Sequence, residues 1–270
     1  MPGSDALLPD LLAIADAAAD RAMALWRPDE PGCAHWEKSP GNPVSEADLS
    51  VDALLREQLG ALVPEAAWLS EESAETPARS EARLSWVVDP IDGTRDFVRG
   101  RRGWAVSIAL VDAGVVRLGV LAAPAREERW WAVAGGGAWR NGARLEVGNH
   151  ATLSGARVPL DTMGGINVDY QMVPKPNGIA LRMAMVAANE ADLVAGLRYS
   201  GEWDVAAATL IAQEAGARVT DALGDPIRFN KPDPRVIGLL CAVPALHDAG
   251  LARLRERALK LLGERPGGTA

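Results

Sequence analysis

Four residue types are scarce in this 270-residue sequence, which has 2 cysteines, 3 histidines, 2 phenylalanines and 2 tyrosines. Cys33 and Cys241 lie in apolar or small-residue surroundings and do not form a C-x-x-C pair, so we interpret them as core or partly exposed thiols. His35, His150 and His247 lie outside every motif described below. We therefore expect packing or surface roles for the histidines rather than catalysis.

Long apolar runs and a cationic N-terminus are also missing. No stretch approaches the ~18 consecutive apolar residues that indicate a transmembrane helix. The first residues include Asp5, Asp10, Asp16 and Asp20 and contain no basic start followed by an apolar run, so a secretory signal is not predicted. We expect no membrane partner, and a cytoplasmic location follows by default.

Positive charge is in deficit, because 28 lysines and arginines against 36 aspartates and glutamates give a formal net charge of -8. This balance argues against a nucleic-acid polymer as a partner but leaves room for a local basic pocket. An anionic substrate must then be bound by a metal ion or by a local cluster of cations. The nine tryptophans are expected to serve core or interface packing rather than a stacking platform for nucleic acid.

The first part of the chain combines helices with a run of strands. Apolar residues at helical spacing predict a helix over residues 6–27, and Ser45 followed by an apolar series predicts a second, capped helix. Between them lies a Pro- and Gly-rich connection with a short extended piece at His35 to Lys38. From Leu84 the pattern predicts strands of an antiparallel meander that ends in the glycine-rich turn 135–142.

The second part alternates helices and strands, which favours an α/β layer arrangement. One of its strands is predicted over residues 235–243. We place a boundary near residue 150, so that the chain divides into the halves 1–150 and 151–270.

The stretch WVVDPIDGTRDF, residues 86–97, begins as a buried strand and then places Asp89 and Asp92 three residues apart. Pro90 favours an extended conformation for Asp89, so the strand is predicted to end there and to turn at once. Two neighbouring carboxylates resist joint ionisation unless a cation neutralises them, and Mg²⁺ prefers oxygen ligands. The alternative is that Asp89 caps a turn and Asp92 bonds the Gly-Thr backbone without any metal.

Further carboxylates come from three other segments. Glu71 and Glu72 follow the apolar pair Trp68-Leu69 at an expected strand end, although a solvated acidic loop is the ordinary explanation. Asp204 lies at the mouth of one helix and Asp48 in the first turn of another, where capping and the helix dipole also favour a carboxylate. Each segment alone is therefore ambiguous.

Taken together, the segments NPVSEAD, LSEES, DPIDGTRDF, GGGAWRNG and EWDVAAA, in this order, resemble the inositol monophosphatase superfamily of Mg²⁺-dependent, lithium-sensitive phosphatases. The resemblance extends over nearly the whole chain, and D-P-I-D-G-T and W-D-x-A-A are its specific motifs. It implies an α/β (α+β) fold, a layered α-β-α-β-α sandwich of the sugar-phosphatase type. The site would lie between an N-terminal α+β half and a C-terminal α/β half, and the family suggests a homodimer.

The resemblance also implies a set of metal ligands. Glu71, Asp89 and the carbonyl of Ile91 would hold one Mg²⁺, and Asp89, Asp92 and Asp204 would hold a second. A third, weaker ion would lie near Glu71, and Li⁺ would be an inhibitor.

The catalytic roles follow from the same motif positions. Asp48 and Thr94 would orient and deprotonate the attacking water, with Glu72 as a helper beyond the metal ligands. Backbone N–H groups at Gly93 and Thr94 would hold the phosphate.

The resemblance implies that the substrate is a small phosphorylated metabolite, and residues beside the motifs must select it. Arg95 and Asp96 after D-G-T resemble the branch that removes the 3'-phosphate of adenosine 3',5'-bisphosphate, although a surface ion pair or a turn contact explains them equally well. Gly178 matches the superfamily's substrate-side helix start, but Ile179 stands where a small hydroxyl residue is usual. The predicted substrate contacts are Gly93, Thr94, Arg95, Asp96, Gly178 and Asp204.

Several substrates remain open on this reasoning. Adenosine 3',5'-bisphosphate is the first choice, inositol 1-phosphate and histidinol phosphate are alternatives, and a catalytically silent metal- and phosphate-binding member of the family is the non-enzyme alternative. Lys175, Arg182 and Arg198 offer positive charge for a second phosphate, although each is more often a solvated side chain. Residues 159–176 resemble no branch closely.

Overall fold

The computed structural model describes residues 4–30, 32–161 and 169–263, so part of the segment 159–176 lies outside the described residues. The helices are α1 (Ser4–Leu25), α2 (Glu46–Leu62), α3 (Thr94–Phe97), α4 (Ile179–Ala187), α5 (Glu202–Glu214) and α6 (Pro244–Gly263). The strands of the N-terminal part are β1 (His35–Ser39), β2 (Asn42–Ser45), β3 (Ala67–Ser70), β4 (Leu84–Asp92), β5 (Ala105–Asp112), β6 (Val115–Ala123), β7 (Glu128–Val133), β8 (Gly137–Arg140) and β9 (Ala143–Arg144). They are followed by β10 (Arg157–Pro159), β11 (Gln171–Val173), β12 (Leu193–Gly196), β13 (Ser200–Gly201), β14 (Arg218–Thr220), β15 (Arg235–Val236) and β16 (Leu239–Ala242).

The largest sheet has seven strands in the order β3-β4-β5-β6-β7-β8-β9. Helices α1 and α2 pack on one face of it, and α4 and α5 pack on the other. The far side of the α4–α5 layer carries a three-stranded sheet, β12-β16-β14, against which α6 packs. The layers therefore run α-β-α-β-α, which confirms the fold class expected from the sequence.

The large sheet separates two hydrophobic cores because side chains alternate along each strand. On β5, Val106 and Ile108 belong to the core under α1 and α2, whereas Ala105 and Ala109 belong to the core under α4 and α5. The second core contains side chains from both sides of residue 150. The division into residues 1–150 and 151–270 stays a prediction.

Two predicted elements differ in the structure. The glycine-rich stretch 135–142 does not end the meander, since β8 lies within it and a tight turn at Asn141-Gly142, both with positive φ, leads into β9. The strand predicted over 235–243 is divided between β15 and β16, which pair with different strands. Gly238, with φ of 63°, lies at the break and turns the chain between the two pieces.

The extended piece predicted at His35 to Lys38 is confirmed as β1, which forms an antiparallel hairpin with β2. Within the described ranges, none of the helices combines the length and the apolar character that crossing a membrane requires. The cytoplasmic location stays a prediction.

Candidate active site

The two aspartates of the D-P-I-D motif lie on one face of β4 because the strand contains a bulge. The strand does not end at Asp89, as predicted, but continues to Asp92. Asp89 pairs with Ser107 and Asp92 pairs with Ala105, so a step of three residues on β4 opposes a step of two on β5. Residues two apart on β5 share a face, and their partners therefore share one too. Pro90 falls inside the bulge, where its missing N–H costs no ladder hydrogen bond.

Three carboxylates from three chain segments converge at this point. One ligand oxygen from each of Glu71, Asp89 and Asp204 lies within 4.8 Å of the others. Glu71 follows β3, which runs parallel to β4, and Asp204 lies in the first turn of α5. Burial raises the pKa of Asp89 well above its ordinary value, and repulsion from Glu71, Asp92 and Asp204 raises it further. The pKa of Asp204 is also raised, by burial first and by Asp92 and Glu71 next.

Asp92 lines the same pocket, but helix α4 already binds its carboxylate. Oδ1 accepts a hydrogen bond from the Ile179 N–H at 3.1 Å, and Oδ2 accepts one from the Ala180 N–H at 2.8 Å. These are N–H groups of the first turn of α4, which have no partner inside the helix. Burial raises the pKa of Asp92 to about 7, although both bonds and the charge of Arg182 lower it. Each carboxylate oxygen keeps a further lone pair for another ligand.

Two glycines allow the Asp92 turn and the start of α4 to approach each other. Gly93 has φ of 99°, and a Cβ there would lie 2.6 Å from the Gly103 carbonyl oxygen. A Cβ on Gly178 would lie 2.6 Å from Asp92 Oδ2, although the φ of Gly178 is ordinary. Gly178 borders the acidic site through Asp92, and any larger side chain would displace that carboxylate.

Asp48 and Thr94 form a hydrogen-bonded pair beside the bulge. Thr94 Oγ1 lies 3.0 Å from Asp48 Oδ1 and 3.0 Å from the Ile91 carbonyl oxygen, and its single proton serves one acceptor at a time. Asp48 is fully buried and is fixed by Ser45, whose N–H and hydroxyl both donate to Oδ2. Burial raises the pKa of Asp48 to about 6 in spite of these donors.

Glu72 is turned toward Lys38 of the β1–β2 hairpin. Lys38 Nζ lies 2.7 Å from Glu72 Oε1 and 2.8 Å from Glu71 Oε1, so one ammonium group bridges the two acids. The hairpin register slips between Glu37 and Ser39, which makes Lys38 the extra residue of a bulge and directs it at the acids. Burial raises the pKa of Glu72 to about 7, and Lys38 opposes this shift.

A hard divalent cation fits this donor set. The oxygens of Glu71, Asp89 and Asp204 are close enough to share an ion, and all are hard ligands. Burial raises the pKa of Asp89 and of Asp204, and neighbouring carboxylates raise both further, so a bound cation would favour their ionised forms. These residues therefore fit Mg²⁺.

The acidic residues line a cavity of about 380 Å³ that also contains cations. Arg95 lies on its wall, and Arg182 enters from α4. Arg182 donates from Nη2 to the Asn177 carbonyl oxygen at 2.5 Å, whereas its buried Nε has no hydrogen-bond partner among the described residues. Burial lowers the pKa of the Arg182 guanidinium, which the charge of Asp92 partly offsets. Of the three cations considered for a second phosphate, Arg182 lines the cavity. Lys175 is paired with Asp161, and neither Lys175 nor Arg198 lines the cavity.

Asp96 does not line this cavity. Its Oδ2 accepts a hydrogen bond from the Asn177 N–H at 3.0 Å, and its Oδ1 lies 3.9 Å from Arg101 Nη1. Asp96 therefore links α3 to the segment before α4, and its substrate role stays a prediction. Arg95 donates to the Gly41 carbonyl oxygen in the turn of the hairpin.

Two contributions to the site were not predicted from the sequence. Lys38 lies 33 residues from Glu71, and no local pattern relates them. Asp52 is buried on α2 one turn after Asp48, and the Ser70 hydroxyl at the end of β3 donates to it. The spacing of four residues between Asp48 and Asp52 was the available signal, since it places both acids on one helix face.

Comparisons with known proteins identify the family and the fold of the chain. The inositol monophosphatase family matches residues 9–260. A histidinol-phosphatase from Mycobacterium tuberculosis is 35% identical over an alignment of 198 positions, which covers 67% of this chain and 75% of that protein. A 3'(2'),5'-bisphosphate nucleotidase CysQ from Aggregatibacter actinomycetemcomitans is 30% identical over an alignment of 245 positions, which covers 83% of this chain and 88% of that protein. The solved structure of a Thermotoga maritima IMPase has a TM-score of 0.79 at 25% identity and covers 95% of this chain and 99% of its own.

The histidinol-phosphatase and the bisphosphate nucleotidase are named for different substrates but for the same chemistry, the removal of phosphate from a small molecule. The fold, the acidic pocket and the sequence match extend over the same part of the chain. The chain belongs to the inositol monophosphatase family, whose members are phosphomonoesterases that in general depend on Mg²⁺.

Proposed function

We propose that the pocket hydrolyses the 3'-phosphate of adenosine 3',5'-bisphosphate, with inositol 1-phosphate and histidinol phosphate as the alternative substrates. The observation that carries the catalytic part is the convergence of Glu71, Asp89 and Asp204 beside the Thr94–Asp48 pair. The relative named as a bisphosphate nucleotidase aligns with 83% of this chain, and the histidinol-phosphatase aligns with 67%. The greater coverage favours the nucleotide as the first substrate to test.

Glu71, Asp89, Asp92, Asp204 and the Ile91 carbonyl would hold two or three Mg²⁺ ions. When bound, Mg²⁺ lowers the pKa of water and neutralises charge on phosphate oxygens. In agreement with this role, the charges of these carboxylates are not balanced by Lys38 and Arg182 alone. We also propose that Li⁺ inhibits the reaction and that the protein forms a homodimer, as its family suggests.

The Thr94–Asp48 pair would orient the attacking water and accept its proton. The Thr94 hydroxyl donates toward Asp48 Oδ1, which leaves the Thr94 oxygen lone pairs free to accept a proton from water. Asp48 is buried and held by Ser45, so its position changes little when the pocket fills. A carboxyl group with a pKa of about 6 is mostly ionised at neutral pH and can take the proton through Thr94. Glu72 would assist from its place beside Lys38.

The phosphate would lie against the chain where β4 ends. Thr94 is the first residue of α3, so its N–H has no partner within the helix, and Gly93 precedes it as the N-cap. Arg182 lies on the pocket wall and would add a charge-assisted hydrogen bond to the bound anion. This arrangement relies on positioning and charge neutralisation, which phosphoryl transfer requires most.

The test is a substrate panel with Mg²⁺. We expect kcat/KM to be higher for adenosine 3',5'-bisphosphate than for inositol 1-phosphate, histidinol phosphate or fructose 1,6-bisphosphate. A higher kcat/KM for another panel member would refute the proposed substrate but would still support phosphatase activity. Absence of Mg²⁺-dependent turnover with every ester would instead support a silent, phosphate-binding member of the family.

A further inference from the structure

A second cavity lies beside the acidic pocket, between the β1–β2 hairpin and α3. It encloses about 700 Å³, and its lining includes Trp36, His35, Val98, Arg95 and Arg99. Pro43 and Arg95 line both cavities, so the two lie next to each other. A molecule whose phosphate lies at the acidic pocket can therefore extend into the second cavity.

Trp36 is the side chain that distinguishes this cavity. It is 47% exposed, whereas the other eight of the nine tryptophans are buried or partly buried in the structure. Trp36 is thus not a core residue, and a role in interface packing stays a prediction for it. An indole face that is open to solvent can stack on a planar ring.

The cavity holds Trp36 close to the site of chemistry. Trp36 and Lys38 are two residues apart on β1, which places their Cα atoms at most about 7 Å from each other. Lys38 contacts Glu71 and Glu72 of the acidic pocket. Arg95 donates to the Gly41 carbonyl oxygen at the hairpin turn and so ties the hairpin to α3. The backbone of Trp36 therefore lies within the reach of one nucleoside from the acidic residues.

The charge of the second cavity is opposite to that of the first. Arg95 and Arg99 lie one turn apart on the α3 side, and both side chains are exposed. Arg95 uses one donor on Gly41 and has further N–H groups left, because a guanidinium carries five. Glu37 is the acid of the lining, so the cavity keeps a surplus of positive charge. Such a lining suits a ligand that has both an aromatic ring and an anionic group.

We propose that this cavity binds the nucleoside part of the substrate, with the purine base stacked on Trp36 and the second phosphate on Arg95 and Arg99. The proposal rests on the proposed nucleotidase function and adds the residues that select a nucleotide over a polyol phosphate. Inositol 1-phosphate has neither a planar ring nor a second phosphate, so its hydrolysis does not use this cavity.

The first experiment compares Trp36→Ala with wild type on two substrates. Stacking on an aromatic side chain is worth about 1–3 kcal/mol per base, so we expect KM for adenosine 3',5'-bisphosphate to rise about 5- to 100-fold. For inositol 1-phosphate, we expect kcat/KM of Trp36→Ala to stay within about twofold of the wild-type value. Trp36→Phe should retain most of the nucleotide affinity. The control is Trp139→Ala, at a partly exposed tryptophan on β8, which should leave kcat/KM for both substrates unchanged. Equal losses on both substrates, or no loss on the nucleotide, would overturn the proposal.

The second experiment measures binding without turnover and so separates this proposal from the proposed function. Adenosine 5'-monophosphate is titrated calorimetrically into wild type, Trp36→Ala and Arg99→Gln. We expect weaker binding to both variants than to wild type, even if no ester in the panel were hydrolysed. A protein that hydrolyses inositol 1-phosphate but binds adenosine 5'-monophosphate equally with and without Trp36 would keep the phosphatase function and refute the nucleoside cavity.

Discussion

Thr94 Oγ1 lies 3.0 Å from Asp48 Oδ1, which joins the turn after β4 to the first turn of α2 across 46 residues of sequence. Asp48 has two functions in the structure. It completes the capping box of α2 with Ser45, and it holds the Thr94 hydroxyl at the edge of the acidic pocket. Asp48 therefore stabilises the start of α2 through Ser45 and also contacts the pocket through Thr94.

Removal of the Thr94 hydroxyl is expected to abolish proton transfer while the fold is retained. General-base assistance contributes about 10²- to 10⁴-fold, so Thr94→Ala should lower kcat by that factor and Thr94→Ser should restore most of it. Thr220→Ala is the matched control, because the Thr220 hydroxyl is also buried and donates to a carbonyl oxygen, that of Asp221, but does not line the acidic pocket. The control should lower stability and leave kcat nearly unchanged. A Thr94→Ala enzyme with wild-type kcat in steady-state assays would contradict this role.

Asp89→Asn is expected to inactivate the enzyme and to stabilise its metal-free form at pH 8. Burial and neighbouring carboxylates raise the pKa of Asp89 in the folded chain, so ionisation of this group opposes folding. A neutral amide removes that repulsion, and we expect Tm without metal to rise by about 2–4 °C, which corresponds to about 1 kcal/mol. Mg²⁺ should then raise Tm for the wild type but not for the variant.

The control for this experiment is Asp233→Asn. Asp233 is exposed, and Arg235 lowers its pKa, so its charge does not oppose folding. Both Tm values of this variant should stay close to those of the wild type. If Asp89→Asn lowered the metal-free Tm at pH 8 as an ordinary core substitution does, the site would not carry uncompensated charge.

Mg²⁺ affinity is expected to increase with pH. Burial raises the pKa of Asp92 to about 7, and burial raises those of Asp89 and Asp204 well above their ordinary values. These carboxylates bind protons more tightly in the folded, metal-free chain than in the unfolded chain, where their pKa is about 4. The stability of the metal-free fold therefore falls as the pH rises from about 4 toward 7. Mg²⁺ must displace these protons. Calorimetric titrations in two buffers of different ionisation enthalpy should show proton release at pH 6 that diminishes by pH 8.5. Binding that is equally tight at both pH values and releases no protons would refute this explanation.

Gly178→Ala tests the steric relation between Asp92 and α4. The added Cβ would lie 2.6 Å from Asp92 Oδ2, although the backbone conformation suits alanine. A displaced Asp92 carboxylate would no longer hold bound Mg²⁺ in position, so kcat/KM should fall about 10- to 100-fold for every substrate. Gly60→Ala is the control, because nothing lies within 4 Å of a Cβ there and the position is inside α2. It should raise stability by about 0.5–1 kcal/mol without an effect on rate, as measured by denaturant unfolding and steady-state kinetics.

The parts of the molecule that depend on local pattern were predictable from the sequence. Helix α2 was expected from Ser45 and the apolar spacing after it, and the strands from β4 to β7 were expected from their alternation. The grouping of Glu71, Asp89 and Asp204 was implied by the family resemblance. The distances in sequence between the three segments do not by themselves indicate that the side chains meet. The fold class followed from the same resemblance.

The parts that depend on long-range contacts were not predictable. The bulge that carries β4 past Asp89 to Asp92 follows from pairing with β5, which the residue types do not reveal. The bonds from α4 to Asp92 join residues 87 and 88 positions apart. The exposure of Trp36 follows from a hairpin that packs on few neighbours, so composition alone assigned that residue to packing.

The most direct test of the site is diffraction from crystals grown with Mn²⁺ and inorganic phosphate, with anomalous data collected for manganese. We predict anomalous peaks between Glu71, Asp89 and Asp204, with phosphate density against Gly93 and Thr94, and loss of the peaks in crystals of Asp89→Asn. An acidic pocket without manganese, or manganese bound only elsewhere on the chain, would contradict the account.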